Sequence, residues 1–505
     1  MTISAYGSGA YRAATPNRLV STRNELSDLE RQLSTQQRAE SYGDLGMDRR
    51  VSLDLNGKVS TLDAWLEGIT RGNVNLKISS QAVENYAKLT SETVNDTRSN
   101  TYIPSSTGRS APQVLAEEKF KQTLDLLNTQ VNGRYLFSGK TSDVQPTTTY
   151  AEMIEGDGAG RAGLRQMIDE RRLADLGATG LGRLTTGGAG ATATIADATP
   201  VHSYGFKLAG ASSSSAALAP TFTAGPPADL SVTVASLPAV GDTLRVKLDL
   251  PDGTQEEIVL TARAPGTTGS AADSFEIGTD VNTTAANLRA SISAAIGKEA
   301  ATTLSASSSQ VAARNFFAGS TSSPPLRVPG PPYDTATAAP AAGTAANTVI
   351  WYKGDDGSDP ARSTASVQVD KGQIVGTGAR ANEEAFRIGL AQFAVMAVET
   401  FPATDANSQA RYEAMTARVS DRLAFGNGAQ KPAEIITELG SAQTALARAK
   451  ERHESTKNYL TNALSDVETV SKEEVAVQIL ALQTQLQASY ETTSILSKLT
   501  LTNYL

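Results

Sequence analysis

Two short patterns in this chain carry residue types that could do chemistry. Residues 376–381, Gly-Thr-Gly-Ala-Arg-Ala, fit the G-x-G-x-x-A fingerprint of loops whose backbone N–H groups approach a dinucleotide pyrophosphate. No strand–helix–strand unit surrounds this weak pattern, so a strand-to-helix turn is favoured. Residues 354–359, Gly-Asp-Asp-Gly-Ser-Asp, carry the carboxylates of a calcium loop, but the twelfth position counted from Asp355 is Ser366, where an EF-hand needs glutamate. An acidic turn is favoured there.

The remaining candidate groups give no catalytic pattern. His202 and His453 are the two histidines, and neither has a serine or a metal-ligating residue near it in sequence. The pairs Glu383-Glu384 and Glu473-Glu474 are adjacent, so they do not share a helix face and fit first-turn or solvated charges. With no cysteine, the chain has no disulfide, thiolate nucleophile or cysteine zinc site. We therefore predict no enzyme activity, no cofactor and no metal.

Composition limits the partners. The formal net charge of −8 disfavours nucleic acid or an anionic membrane as a main partner. No stretch approaches the roughly 18 consecutive apolar residues that span a bilayer, so we predict no membrane span. The first residues lack a basic segment followed by an apolar one, so we expect no cleaved Sec signal peptide.

The C-terminal element is the clearest in the chain. The 73 residues after Pro432, the last proline, contain one glycine. Apolar residues recur there at alternating spacings of four and three, from Ile435 to Val470 and, after a slip, from Val475 onwards. This heptad-like seam, on which His453 falls, predicts long helix that packs on partner helices. The second stretch of the seam is Val475, Ile479, Leu482, Leu486, Ser489, Thr493 and Leu496.

The N-terminal region shows a weaker seam of the same kind. Leu19, Leu26 and Leu33 lie seven apart with Leu29 between them. Two further helices are predicted over about 51–94 and 114–131. Helix resumes near Asn382.

The middle of the chain differs in composition, since 15 of the 20 prolines lie between residues 144 and 375. Alternation on both sides of Pro251-Asp252-Gly253 predicts a β-hairpin. The other predicted strands are 230–234, 274–277, 349–352 and 365–369, with a short helix over 285–296. The predicted fold class is α + β and multidomain: a long antiparallel, coiled-coil-like helical bundle from the terminal segments, with a β-rich insert between them.

This organisation resembles the flagellin superfamily of bacterial axial proteins, and three segments carry the resemblance. Residues 132–139 (NGRYLFSG) are similar to the segment that leaves the third helix in the hook-associated protein 3 family of hook–filament junction proteins, and residues 378–386 (GARANEEAF) are similar to the re-entry into the helical domain. The ending, from Ala476 through Gln483, Leu486, Tyr490 and Leu499 to Leu505, resembles junction proteins more than filament flagellins. Residues 41–47 depart from the acidic stretch usual after the first helix and look like an alphaproteobacterial variant.

The resemblance implies three domains. Residues 1–45 with 461–505 would form an inner coiled coil, 46–145 with 376–460 a helical rod domain, and 146–375 an outward-facing β-rich insert with a nested lobe over about 222–320. The assembly interface would comprise Leu19, Leu26, Leu29, Leu33, Val475, Ile479, Leu482, Leu486, Tyr490, Leu496, Leu499, Tyr504 and Leu505.

The resemblance also implies a function and partners. The chain would be exported by the flagellar type III route and would connect the hook to the filament on the cell exterior. Its partners would be copies of itself in a ring, hook-associated protein 1, filament-side axial proteins or flagellin, and an export chaperone at the C-terminal helix. The large insert favours an alternative, a filament-forming flagellin. An exported surface-binding protein is a more distant alternative.

Overall fold

The structure is a computed structural model that describes residues 8–99, 101–426 and 428–498. It is α + β, and about half of the chain is helical. The helices are α1 Ser8–Thr35, α2 Arg49–Ser99, α3 Ala111–Leu127, α4 Tyr150–Glu155, α5 Leu164–Leu176, α6 Val281–Glu299, α7 Ser305–Ala318, α8 Glu384–Val398, α9 Ser408–Arg422, α10 Pro432–Glu468 and α11 Lys472–Lys498. A π-helical segment, Ala300–Leu304, joins α6 to α7.

The strands lie mostly between α5 and α6. They are β1 Gln130–Val131, β2 Arg134–Tyr135, β3 Leu184–Gly187, β4 Thr192–Asp197, β5 Lys207–Ser213, β6 Leu218–Thr223, β7 Asp229–Val234, β8 Thr243–Asp249, β9 Gln255–Arg263, β10 Ser274–Glu276, β11 Leu326–Arg327, β12 Ala341–Ala342, β13 Ser366–Asp370 and β14 Gln373–Gly376.

The chain divides into two compact units. The terminal unit takes the residues up to Arg71, Gln368–Ile374, and Ala445 onwards. The central unit takes Gly72–Val367 and Val375–Thr444. The helices α2 and α10 therefore each contribute to both units. The three-domain division expected from the resemblance stays a prediction.

The central unit contains two four-stranded sheets. Their strand orders are β3-β4-β7-β6 and β10-β9-β8-β5, and every pair is antiparallel except β9 with β10. One apolar core, with members from Leu184 to Leu304, joins residues of both sheets with residues of α6. The helix α6 begins where the Asp280 side chain accepts hydrogen bonds from the backbone N–H groups of Asn282 and Thr283 (2.8 and 3.0 Å), a standard N-cap.

The β8–β9 hairpin has the predicted turn. Asp249 pairs with Gln255 at its end, and Asp252 in the turn is 5% exposed. Burial raises the pKa of Asp252, but the hydrogen bond from Thr254 (2.6 Å) and the charge of Arg418 (2.9 Å) outweigh it, so the pKa lies below its usual value. The turn is thereby tied to α9, which carries Arg418.

Within the central unit, α2 packs on α8 through aromatic side chains. Tyr86 and Phe386 lie 5.0 Å apart between ring centroids, and the buried Tyr86 hydroxyl donates to the Ala385 carbonyl oxygen at 2.5 Å. Gly389 is required by this packing, because a Cβ there would lie 2.0 Å from the Tyr86 hydroxyl oxygen. Burial raises the pKa of Tyr86, which keeps the phenol protonated.

The secondary structure differs from the sequence prediction in several places. The predicted strand over 349–352 is wrong: Thr348 and Tyr352 make isolated bridges, and Trp351 is fully buried with its Nε1 donating to the Phe317 carbonyl oxygen at 3.0 Å. The sequence also did not predict the helices α4, α5, α7 and α9 or the strands β1–β6, β11, β12 and β14. The C-terminal helical region is two helices, separated at residues 469–471.

Candidate assembly interface

The two terminal helices pack on one another through the predicted seam. Leu29 of α1 forms an apolar cluster with Val475 and Ile479 of α11, and these three are 7%, 2% and 8% exposed. Partly buried residues complete the cluster: Leu26, Leu33, Val470 and Leu482. At about 25 cal/mol per Å² of apolar surface removed from water, a cluster of this size contributes several kcal/mol to the pairing of the helices.

A short bridge fixes the register of this pair. The Arg38 N–H donates to the Glu468 carbonyl oxygen (2.8 Å), and the Val470 N–H donates to the Gln36 carbonyl oxygen (3.2 Å). Gln37 and Thr469 thus form an antiparallel bridge. Because the end of α1 meets the start of α11 at this bridge, the two helices run antiparallel.

The break between α10 and α11 has a local cause in the sequence. The Ser471 hydroxyl accepts from the Glu474 N–H at 3.3 Å, which caps the first turn of α11. Ser471 also donates to the Glu473 carboxylate at 2.7 Å, and this bond lowers the pKa of Glu473. The carboxylates of Glu473 and Glu474 lie in the first turn, where the helix dipole favours negative charge. The slip in the seam between Val470 and Val475 therefore marks a new helix start.

The opposite side of α11 carries three exposed apolar residues among polar ones such as Thr484 and Glu491. Val477, Leu480 and Ile495 are 66%, 63% and 60% exposed. At 3.6 residues per turn they lie roughly 140–200° around the helix from Val475. Exposed apolar residues opposite a buried apolar face are typical of a helix that is covered on both sides. In the described chain, α1 covers one of them.

The predicted interface residues are distributed as follows. Leu26, Leu29, Leu33, Val475, Ile479 and Leu482 share the cluster. Leu19 is half-buried and Leu486 is 9% exposed, both outside it, and Tyr490 is 57% exposed. The side chain of Leu496 and the residues Leu499, Tyr504 and Leu505 lie outside the part of the chain that the structure describes. Their role in assembly stays a prediction.

His453 anchors a hairpin within the terminal unit. It is 3% exposed, its Nε2 hydrogen-bonds the Val369 carbonyl oxygen, and its ring lies 5.3 Å from that of Trp65. Arg452 and Asp370 form an ion pair beside it at 3.6 Å. The sequence pattern predicted that His453 lies on the seam. It did not predict the contact with Val369 of the β13–β14 hairpin, because the two residues are 84 positions apart.

The other residues considered for chemistry have structural surroundings. Residues 376–381 connect β14 to α8, and a Cβ at Gly378 would lie 2.2 Å from the Thr364 hydroxyl oxygen, so close packing explains this glycine. His202 is 8% exposed, and burial, with the charges of Lys207 and Arg183, lowers its pKa. The described residues hold no group of three or more His, Asp or Glu side chains arranged for a metal ion.

No protein-family model matches the chain, and no curated protein sequence matches it. Among the described helices, none is both long and apolar enough to cross a membrane.

Proposed function

We propose that this chain is a structural protein of the bacterial flagellum, a hook–filament junction protein of the flagellin superfamily. It would be exported to the cell exterior and assemble axially through its terminal helices. The observation that carries the proposal is the terminal helix pair: α11 buries one apolar face on α1 and leaves the opposite face, with Val477 and Leu480, in water. A neighbouring copy in a ring supplies the missing cover.

The finer architecture belongs to the same proposal. The terminal segments 1–45 and 461–505 form the inner coiled-coil core, and 46–145 with 376–460 form the rod domain around it. The β-rich insert faces outward. The two sheets of the central unit, which share one core with α6, are consistent with a self-contained insert. The resemblance of the ending to junction proteins favours the junction over a filament-forming flagellin.

The partners follow from this arrangement. Hook-associated protein 1 lies on one side of the ring, and filament-side axial proteins or flagellin lie on the other. Before export, a chaperone covers the C-terminal helix, whose exposed apolar residues are prone to association. The protein performs no chemistry in this account.

Cysteine cross-linking tests the proposal, because the native chain contains no cysteine. Cells carrying Val477→Cys in place of the native residue are grown, and their flagella are isolated and treated with a bifunctional thiol-reactive cross-linker, because neighbours in a ring do not bring the same residue of two copies into direct contact. The matched control is Val240→Cys, since Val240 is also a valine exposed to 66% but lies in the loop between β7 and β8. We expect cross-linked copies for V477C and monomers for V240C. Absence of the chain from the flagella, or cross-linking that is equal for both variants, contradicts the proposal.

A further inference from the structure

A cavity of about 760 Å³ lies among the helices of the central unit. One face of α7 lines it with Gln310, Val311, Arg314, Asn315 and Ala318, and one face of α8 lines it with Glu384, Arg387, Ile388, Ala391 and Gln392. The rest of the wall comes from α5, the end of α9 with the loop that follows, the turn at Asp252, and the segment from Leu326 to Pro340. A concave space of this volume, with a wall of mixed apolar and polar residues, is typical of sites for small organic molecules.

The cavity wall carries four arginines, and their pairing differs. Arg171 forms an ion pair with Asp175 at 2.7 Å. Arg422 donates to the Asp252 backbone carbonyl oxygen at 2.9 Å. Arg314 and Arg387 make no side-chain hydrogen bond or ion pair with any described residue. Three guanidinium groups therefore lack a carboxylate partner in this part of the chain.

The acidic residues of the wall do not supply those partners. Glu170 is bound by Arg327 at 2.5 Å, and Asp252 is bound by Arg418 at 2.9 Å. Glu384 and Asp421 are exposed. Arg314 is itself an exposed residue, yet partial burial of its guanidinium group lowers its pKa, and the charge of Arg422 lowers it further. An anion in the cavity would relieve this repulsion.

Two glutamines in the wall are almost fully buried and incompletely bonded. Gln310 and Gln392 are each 4% exposed, and the Gln310 Nε2 and Gln392 Oε1 atoms have no hydrogen-bond partner among the described residues. The Nε of Arg387 is buried and unpaired in the same way. Buried polar groups without partners are uncommon and costly, so a ligand that drew these three groups into hydrogen bonds by a rotation of their side chains would remove an existing cost.

We propose that this cavity binds a small organic anion with an apolar body, whose carboxylate, phosphate or sulfonate group is held by Arg314, Arg387 and Arg422. The apolar part packs against Val311, Ile388 and neighbouring residues of the wall. The site is independent of the proposed flagellar function, because every residue in it belongs to the central unit of one chain.

Fluorescence titration of the full chain tests this with two probes. The anionic probe is 8-anilinonaphthalene-1-sulfonate, and the neutral one is N-phenyl-1-naphthylamine, which lacks the sulfonate. We expect saturable binding of one sulfonate probe per chain. Arg314→Gln/Arg387→Gln should weaken it at least about tenfold, because two charged donors are lost, and should change neutral-probe binding by less than about twofold.

The control variant is Arg134→Gln/Arg245→Gln, which removes the same charge from exposed positions of the central unit. Ala318→Trp, at an exposed position of the cavity wall, should exclude both probes. Thermal melts establish folding, and R314Q alone replaces the double variant if that one melts early. The proposal is overturned if the wild type shows no saturable binding, if the arginine variants bind the sulfonate probe like the wild type, or if R134Q/R245Q weakens it equally.

Discussion

The exposed apolar face of α11 gives the most direct mutational prediction. Changing Val477 and Leu480 together to aspartate should abolish assembly while leaving the fold of the single chain intact. Both side chains are about two-thirds exposed in the isolated chain, so their substitution removes no internal contact of consequence. The effect should appear only where another copy covers them.

The expected loss of association free energy follows from the exposed fraction of the two side chains. Full burial of a valine or leucine side chain is worth about 1.5–3 kcal/mol, so covering the exposed two-thirds of each contributes roughly 1–2 kcal/mol, or about 2–4 kcal/mol for the pair. At 1.4 kcal/mol per factor of ten, this loss weakens association roughly 30- to 700-fold. Burying two unpaired carboxylates adds a further penalty.

The assay compares the amount of the chain in isolated flagella, swimming motility, and the melting temperature of the purified chain. The control is Leu237→Asp/Val240→Asp, which has the same residue types at the same spacing of three, on an exposed loop of the central unit. We expect V477D/L480D to be absent from flagella and to melt like the wild type, and L237D/V240D to assemble normally. Normal assembly of V477D/L480D would show that no neighbouring copy covers Val477 and Leu480.

Three further predictions concern stability. Leu29→Ala should cost the terminal helix pair about 2–4 kcal/mol, seen as faster amide hydrogen exchange in α11 with α8 unchanged; equal exchange in wild type and variant would contradict the cluster. Gly389→Ala should lower the melting temperature, because the added Cβ would clash with Tyr86. Gly440→Ala should raise it, because the added Cβ has no neighbouring atom within 4 Å and alanine favours helix. Shifts of the same sign in both variants would contradict the packing around Tyr86. Because the folded-state pKa of Asp252 is depressed, its carboxylate stabilises the fold above about pH 4, and this contribution is lost as the pH falls through the folded-state pKa. In denaturant titrations, Asp252→Asn should therefore lower the free energy of unfolding by about 1–3 kcal/mol at pH 7 and by progressively less below pH 4. A loss of stability that does not depend on pH would contradict this.

The sequence predicted the elements whose signal is local. The alternation around Asp252 gave the β8–β9 hairpin, and the seam from Val475 gave α11 and the face that packs on α1. The slip before Val475 was visible, but the break it marks depends on a cap by Ser471.

The elements that were missed depend on tertiary contacts. The helix α7 is rich in serine, a weak helix former, yet Ser307 and Ser308 are fully buried. Ser308 donates to Asp175 of α5, and Ser309 donates to Glu399. These partners are distant in sequence, so the segment resembles a polar loop. The arginine-lined cavity was missed for the same reason, because its residues come from seven separate segments.

The proposed function requires the chain to lie at the junction of hook and filament, and immunogold labelling of intact flagella shows whether it lies there. The antibody is raised against residues 146–375, the segment proposed to face outward. We predict gold particles confined to one short ring at the distal end of the hook. Label along the whole filament would make the chain a filament flagellin, and flagella without any label would contradict the flagellar proposal altogether.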